Sequence, residues 1–116
     1  MANHKKSKFG AKKCVIDGIK FDSKREANRW VVLQGMQSLG AISNLRRQVR
    51  FELIPKQVDP NTGRVLERAC TYVADFTYYD ADGNYVVEDS KGMKTPDYIM
   101  KRKLMLKEHN IIIHET

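Results

Sequence analysis

The sequence predicts an α/β fold, a single domain with a central mixed β-sheet flanked by helices. Three observations carry that expectation. The chain has 116 residues, enough for one hydrophobic core and too few for two. Hydrophobic residues make up 41% and charged residues 30%, the balance of a globular domain and not of a disordered chain. Finally, helical periodicity in two places brackets segments of alternating polarity, in the order hairpin, helix, three strands, helix, strand.

Residues 13–22 (KCVIDGIKFD) read as a hairpin around the turn pair Asp17-Gly18. Ser23-Lys24-Arg25-Glu26 has the form of a capping box, with Ser at the N-cap and Glu three residues on, so a helix starts there. It is expected to run to Leu39 and stop at Gly40. On it Trp30, Leu33 and Gln37 share a face with Glu26, and Val32, Met36 and Leu39 form a second apolar strip. Residues 45–54 (LRRQVRFELI) alternate as a strand, and residues 55–63 (PKQVDPNTG) read as a turn-rich loop. Residues 68–79 and 84–91, joined by Asp80-Ala81-Asp82-Gly83, form the clearest hairpin. After Thr95-Pro96 an amphipathic helix is expected over residues 97–109, with Tyr98 and Met105 inward. A last strand covers residues 111–114. No repeat is visible.

The charge is uneven. Lys plus Arg number 21 against 14 acids, a formal net charge of +7. Lys5, Lys6, Lys8, Lys12 and Lys13 supply five of those seven charges with no acid among them, so residues 1–12 are expected to be a flexible basic arm before a domain over 13–116. Such a balance suits a polyanionic partner. Arg46, Arg47 and Arg50 read either as a solvated face or as a phosphate clamp, Gln48 either as a plain strand residue or as a phosphate contact, and Lys94 belongs to a second basic group. No apolar run is long enough to span a membrane and the opening residues have no signal core, so a membrane protein and an exported one are not expected. With only Cys14 and Cys70, neither a disulfide framework nor a zinc ribbon is available, and a reduced, cytoplasmic location is expected.

The informative residues are Asp75 and the run Glu88-Asp89-Ser90-Lys91. Residues two apart on a strand point the same way, so Asp89 and Lys91 share a face and Glu88 takes the other. A three-residue loop Ala81-Asp82-Gly83 pairs Asp80 with Asn84 and brings Asp75 opposite Asp89, whereas a two-residue loop sends Asp75 to the other face; Gly83 favours the first. Two opposed carboxylates repel one another, and a divalent cation removes that penalty. Oxygen ligands of this kind suit Mg²⁺, with Mn²⁺ able to substitute. Two aspartates, a neighbouring lysine and a glutamate on a helix are a set suited to phosphodiester hydrolysis. Glu26 has two readings, as a capping residue alone or as a member of that set. His4, His109, His114 and the two cysteines show no ligand spacing.

At these positions the chain resembles the PD-(D/E)xK nuclease superfamily. The match is Asp75, a gap of thirteen residues, then Asp89-Ser90-Lys91, after Phe21-Asp22-Ser23-Lys24-Arg25-Glu26 at the first helix. More narrowly it is similar to a small phage and prophage endonuclease family and to phage junction-resolving endonucleases. The resemblance spans residues 13–114 and implies a restriction-endonuclease-like αβββαβ core. It implies that Asp75 and Asp89 are metal ligands, Lys91 the catalytic lysine, Glu26 a second acidic ligand or water-positioning group, and the Ser90 carbonyl part of the metal shell. Ala74 stands where the superfamily's name has proline, and Glu88 is a competing carboxylate should the register differ.

The expected activity is therefore that of a Mg²⁺- or Mn²⁺-dependent endodeoxyribonuclease, structure-selective on branched DNA in the manner of a Holliday junction resolvase in recombination. Two symmetric cuts imply a homodimer, and a phage or prophage origin implies a bacterial host cytoplasm. Two alternatives stand beside it: a nuclease nicking mismatched or specific sites or linear duplex, and a non-catalytic basic nucleic-acid-binding protein whose carboxylates are structural.

Overall fold

The Asp17-Gly18 turn folds the start of the domain as a hairpin, β1 (Cys14–Ile16) antiparallel to β2 (Ile19–Phe21). The computed structural model describes residues 13–91 and 93–116. Lys5, Lys6, Lys8 and Lys12 of the basic arm lie outside the described residues, and Lys13 is exposed.

Helix α1 (Lys24–Ser38) begins where Ser23, in extended conformation, accepts a 3.1 Å hydrogen bond from the Glu26 N–H. It ends where Gly40, at φ 81°, turns the chain and the N–H of Ala41 reaches the Met36 carbonyl. The chain continues through β3 (Ser43–Ile54), the short β4 (Gln57–Val58) and β5 (Val65–Glu67), then β6 (Cys70–Tyr79) and β7 (Tyr85–Asp89). Helix α2 (Pro96–His109) is capped by Thr95, whose hydroxyl accepts from the Tyr98 N–H, and stops at left-handed Asn110. Strand β8 (His114–Glu115) closes the chain.

The main sheet has four strands in the order β3-β6-β7-β8. Its first two pairings are antiparallel and the last is parallel, so the sheet is mixed. Two helices cover it. Successive residues of a strand face opposite sides, and Val86 and Val87 of β7 enter two different clusters. Leu53, Tyr72, Ala74, Val87 and Ile113 pack with Tyr98 and Met105 of α2, while Ile42, Phe76 and Tyr78 pack with Leu33 of α1. The result is a layer of helix, sheet and helix in one small α/β domain.

Three expectations need correction. Residues 55–63 are not only loop: Gln57 pairs with Glu67 and Val58 with Val65 in a separate two-stranded ribbon. The closing strand lies at 114–115 instead of 111–114, because Ile113 is drawn into the α2 cluster. The strand ending at Lys91 stops at Asp89. The alternation expected over 45–54 is present in β3, where the odd-numbered residues are the covered ones, but they do not all meet the same cluster. Leu45 belongs with the α1 cluster and Phe51 and Leu53 with the α2 cluster, although all three have the same parity. On β6, Ala74 and Phe76 divide in the same way. The covered face therefore changes sides at Gln48 on β3 and at Asp75 on β6, and Gln48 takes φ 53° within the strand. A left-handed conformation at a residue other than glycine costs on the order of 1 kcal/mol and is concentrated at sites of function.

The second strip of α1 is largely uncovered. Val32 is 50% and Leu39 87% exposed, and Met36 is turned into the α1 cluster. No helix of the described residues is long and apolar enough to cross a membrane.

Candidate active site

The turn between β6 and β7 sets the geometry. Asp80 donates its N–H to the Asn84 carbonyl at 2.9 Å, and its Oδ1 accepts from the N–H groups of Asp82 and Asn84. Gly83, at φ 82°, fills the left-handed position. Tyr79 then pairs with Tyr85 and Phe76 with Glu88, so one step further Asp75 stands opposite Asp89. This is the register of the three-residue loop.

The two carboxylates meet in a largely dry place. Asp89 is 1% exposed. Its Oδ2 accepts a 2.5 Å hydrogen bond from the Tyr72 hydroxyl, and its backbone carbonyl accepts from the Thr116 N–H at 3.0 Å. Its Oδ1 has no hydrogen-bond partner, and the nearest cation is Lys91 Nζ at 3.6 Å. The other two buried side-chain polar atoms in that condition among the described residues, Trp30 Nε1 and Arg47 Nε, are both donors. An acceptor left bare in a buried site asks for a proton or a cation.

Asp75 is held by the Ser90 N–H, which donates to its Oδ2 at 2.8 Å. Burial, followed by hydrogen bonding to Asp89 and the charge of Asp89, pushes its carboxyl up to about 8, with the Ser90 N–H opposing. At neutral pH a proton therefore relieves the repulsion that the sequence leads one to expect. Ser90 thus enters the site through its N–H; its hydroxyl lies 3.0 Å from that of Thr116.

Glu26 arrives from the first turn of α1, 4% exposed. Its backbone N–H serves the cap while its side chain serves the sheet: Oε2 accepts from Gln48 Nε2 at 3.1 Å and lies 3.9 Å from Arg47 Nη2. Burial and then the charge of Asp22 raise its pKa, Arg47 lowers it, and Asp89 adds a smaller upward push. Lys91, half-buried, reaches back past the end of β7 and sits 4.8 Å from the centre of the Tyr98 ring. Asp75, Asp89 and Lys91 thus meet at the end of β7, while Glu26 contacts Gln48 and Arg47 and reaches the aspartates only through its charge. Among the described residues no group of three or more His, Cys, Asp or Glu side chains is placed to hold a metal ion.

Glu88 belongs elsewhere. It points to the α1 side, where Arg29 binds both of its oxygens at 2.8 and 2.7 Å and the Tyr78 hydroxyl donates to it as well. Of the two acids, Glu88 is the ion-paired one and Asp89 the one with an oxygen that lacks a hydrogen bond.

The residues proposed to meet nucleic acid divide. Gln48, Arg46 and Arg50 are exposed at the β3 edge, and Gln48 is tied to Glu26. Arg47 is not a free clamp. Its guanidinium lies 4.5 Å from the Phe21 ring and its side chain is 22% exposed, so it acts mainly as a packed counter-charge to Glu26. Lys94, about half exposed, lies 3.6 Å from Glu115. Glu115 also accepts from Tyr98 Oη at 2.7 Å and Arg102 at 3.0 Å, and the Tyr98 hydroxyl holds its carboxyl below the usual range. Two members of the site were missed. Tyr72 and Tyr98 look like core aromatics in the sequence, and only their hydroxyls, aimed at Asp89 and Glu115, show otherwise.

A family model described as "Protein of unknown function (DUF1064)" matches residues 6–114, and the chain belongs to that family. Neither a curated protein nor a solved structure matches it.

Proposed function

For this member of the DUF1064 family we propose a metal-dependent endodeoxyribonuclease of the PD-(D/E)xK type. The observation that carries the reading is the face of β7 that holds Asp89: a fully buried carboxylate with one bare oxygen, opposite Asp75 and 3.6 Å from Lys91. The order α1, β3, β6, β7, α2, β8, with a parallel last pairing, supports the αβββαβ core on which such a site would be built.

The donor set fits a hard divalent cation. Mg²⁺ is commonly held by one or two carboxylates and keeps the rest of its shell for water and substrate phosphate, which suits a site that does not enclose an ion by itself. Asp75 and Asp89 would hold it, with Glu26 beside them. Bound there, Mg²⁺ or Mn²⁺ would polarise the phosphoryl group and lower the pKa of water. Asp75 would have to be deprotonated to hold a cation. The Lys91 ammonium, fixed between Asp89 and the Tyr98 ring, faces the place where charge develops on the phosphoryl oxygens. Glu26, anchored by Gln48, orients a water from the helix side.

Substrate selectivity rests on charge. A net charge of +7 favours contacts to phosphate over base readout, and branched DNA recognised by shape fits that mode. Two paired cuts need two sites, and the uncovered Val32 and Leu39 on α1 offer a surface for a second copy. The test is cleavage, with Mg²⁺ and then Mn²⁺, of a four-way junction, a linear duplex of matching sequence and a single strand. Paired incisions in the junction alone, lost in Lys91→Ala, are the expected result. Equal cutting of all three keeps the nuclease and discards the selectivity. Salt-sensitive binding without any cutting overturns the nuclease and favours a binding protein.

A further inference from the structure

Asp89 and Glu88 each accept a hydrogen bond from a buried tyrosine of β6, Tyr72 on one side of the sheet and Tyr78 on the other. On the Glu88 side the tyrosine is redundant, because Arg29 already takes both carboxylate oxygens. On the Asp89 side it is not. Among the described residues Tyr72 Oη is the one hydroxyl that donates to that side chain and it takes Oδ2, while Oδ1 has only Lys91 Nζ at 3.6 Å and the neighbouring Asp75 carboxyl. Tyr72 is 3% exposed and its ring is confined by Phe51 and Tyr98, with centroids 6.4 Å away in each case, so the hydroxyl has little room to point elsewhere.

We propose that Tyr72 is a positioning residue that occupies Oδ2 of Asp89 and thereby presents Oδ1, and only Oδ1, to a divalent cation. This rests on the metal site of the reading above but goes beyond it, since it assigns a role to a residue that touches neither cation nor substrate. A carboxylate locked through one oxygen offers the other in a fixed direction. Without the lock it can turn about its Cβ–Cγ bond, and the orientation must then be fixed at the expense of metal affinity. Outer partners of metal ligands commonly matter by about 10- to 100-fold in affinity.

The matched pair of tyrosines gives the control. In Tyr72→Phe the MnCl₂ concentration for half-maximal thermal stabilisation should rise about tenfold or more, while Tyr78→Phe should leave it within about twofold of the parent. In an Asp89→Asn background Tyr72→Phe should have no further effect. An unchanged midpoint in Tyr72→Phe overturns the inference, and so does an equal rise in Tyr78→Phe. A second measurement needs no variant: in protein labelled with ¹³C at the tyrosine Cζ, titration with MgCl₂ should move the Tyr72 resonance and leave that of Tyr78 in place, and the reverse contradicts the assignment. The two readings fail separately. Saturable Mn²⁺ binding that depends on Tyr72, in a protein that cuts no DNA, leaves this inference standing and ends the nuclease. Cleavage with no dependence of the metal midpoint on Tyr72 does the opposite.

Discussion

Glu88 and Asp89 are neighbours on β7, both acidic and both almost completely buried, yet they end in opposite situations. Glu88 faces α1 and is saturated: two bonds from Arg29 and one from Tyr78 leave its charge matched. Asp89 faces the other way, has one oxygen bound by Tyr72 and the other without a hydrogen bond and 3.6 Å from Lys91, and meets a second carboxylate. The first arrangement joins a helix to a sheet. The second keeps an electrostatic problem that a cation would solve. A buried acid is therefore weak evidence of function taken alone, and the state of its second oxygen tells the two kinds apart.

The sharpest way to break this contrast is to remove each charge in turn. Glu88→Gln leaves Arg29 partly unpaired and should cost about 2–3 kcal/mol of stability, somewhat below the value for a fully buried pair because Arg29 keeps about a quarter of its side chain in water. Asp89→Asn should change the metal-free protein by no more than about 1 kcal/mol, since an amide there still accepts from Tyr72 and can donate to Asp75. Urea unfolding of both variants in the presence of a chelator checks the order. A larger loss in Asp89→Asn would mean that Asp89, too, is chiefly structural.

A smaller effect follows from pH. The Asp75 carboxyl is raised from its ordinary value of 3.8 to about 8 in the folded protein, so the native state holds that proton more tightly than the unfolded chain. Its contribution to stability is full below about pH 4 and is lost as pH rises through about 8. Without metal, the melting temperature of the parent should fall across that window more steeply than that of Asp75→Asn. Divalent cations compete with the same proton, so their stabilising effect should grow from pH 6 to pH 8. Parallel slopes in the two proteins would remove Asp75 from the site.

Much of this was legible in the residues because short-range rules decide it. Gly83 in its turn fixes which residue opposes Asp89, and Ser23 with Glu26 fixes where α1 begins. What stayed hidden depends on contacts distant in the chain. A tyrosine reads as core whether or not its hydroxyl ends on a carboxylate, so Tyr72 and Tyr98 carried no signal. Arg47 reads as a surface cation until Phe21 and Trp30 close over it. The change of covered face at Gln48 and Asp75 leaves no mark in the hydrophobic pattern, because residues of one parity stay apolar on both sides of the break. The ribbon of β4 and β5 has two and three residues per strand, too short for any periodicity to show.

The most direct test is thermal unfolding of the parent, Glu88→Gln and Asp89→Asn over a MnCl₂ titration at pH 8. A cation site on one face of β7 predicts a saturable rise in melting temperature for the parent, the same increment on a lower baseline for Glu88→Gln, and none for Asp89→Asn. A rise that survives Asp89→Asn, or that disappears with Glu88→Gln, would place the metal on the wrong face and contradict the assignment.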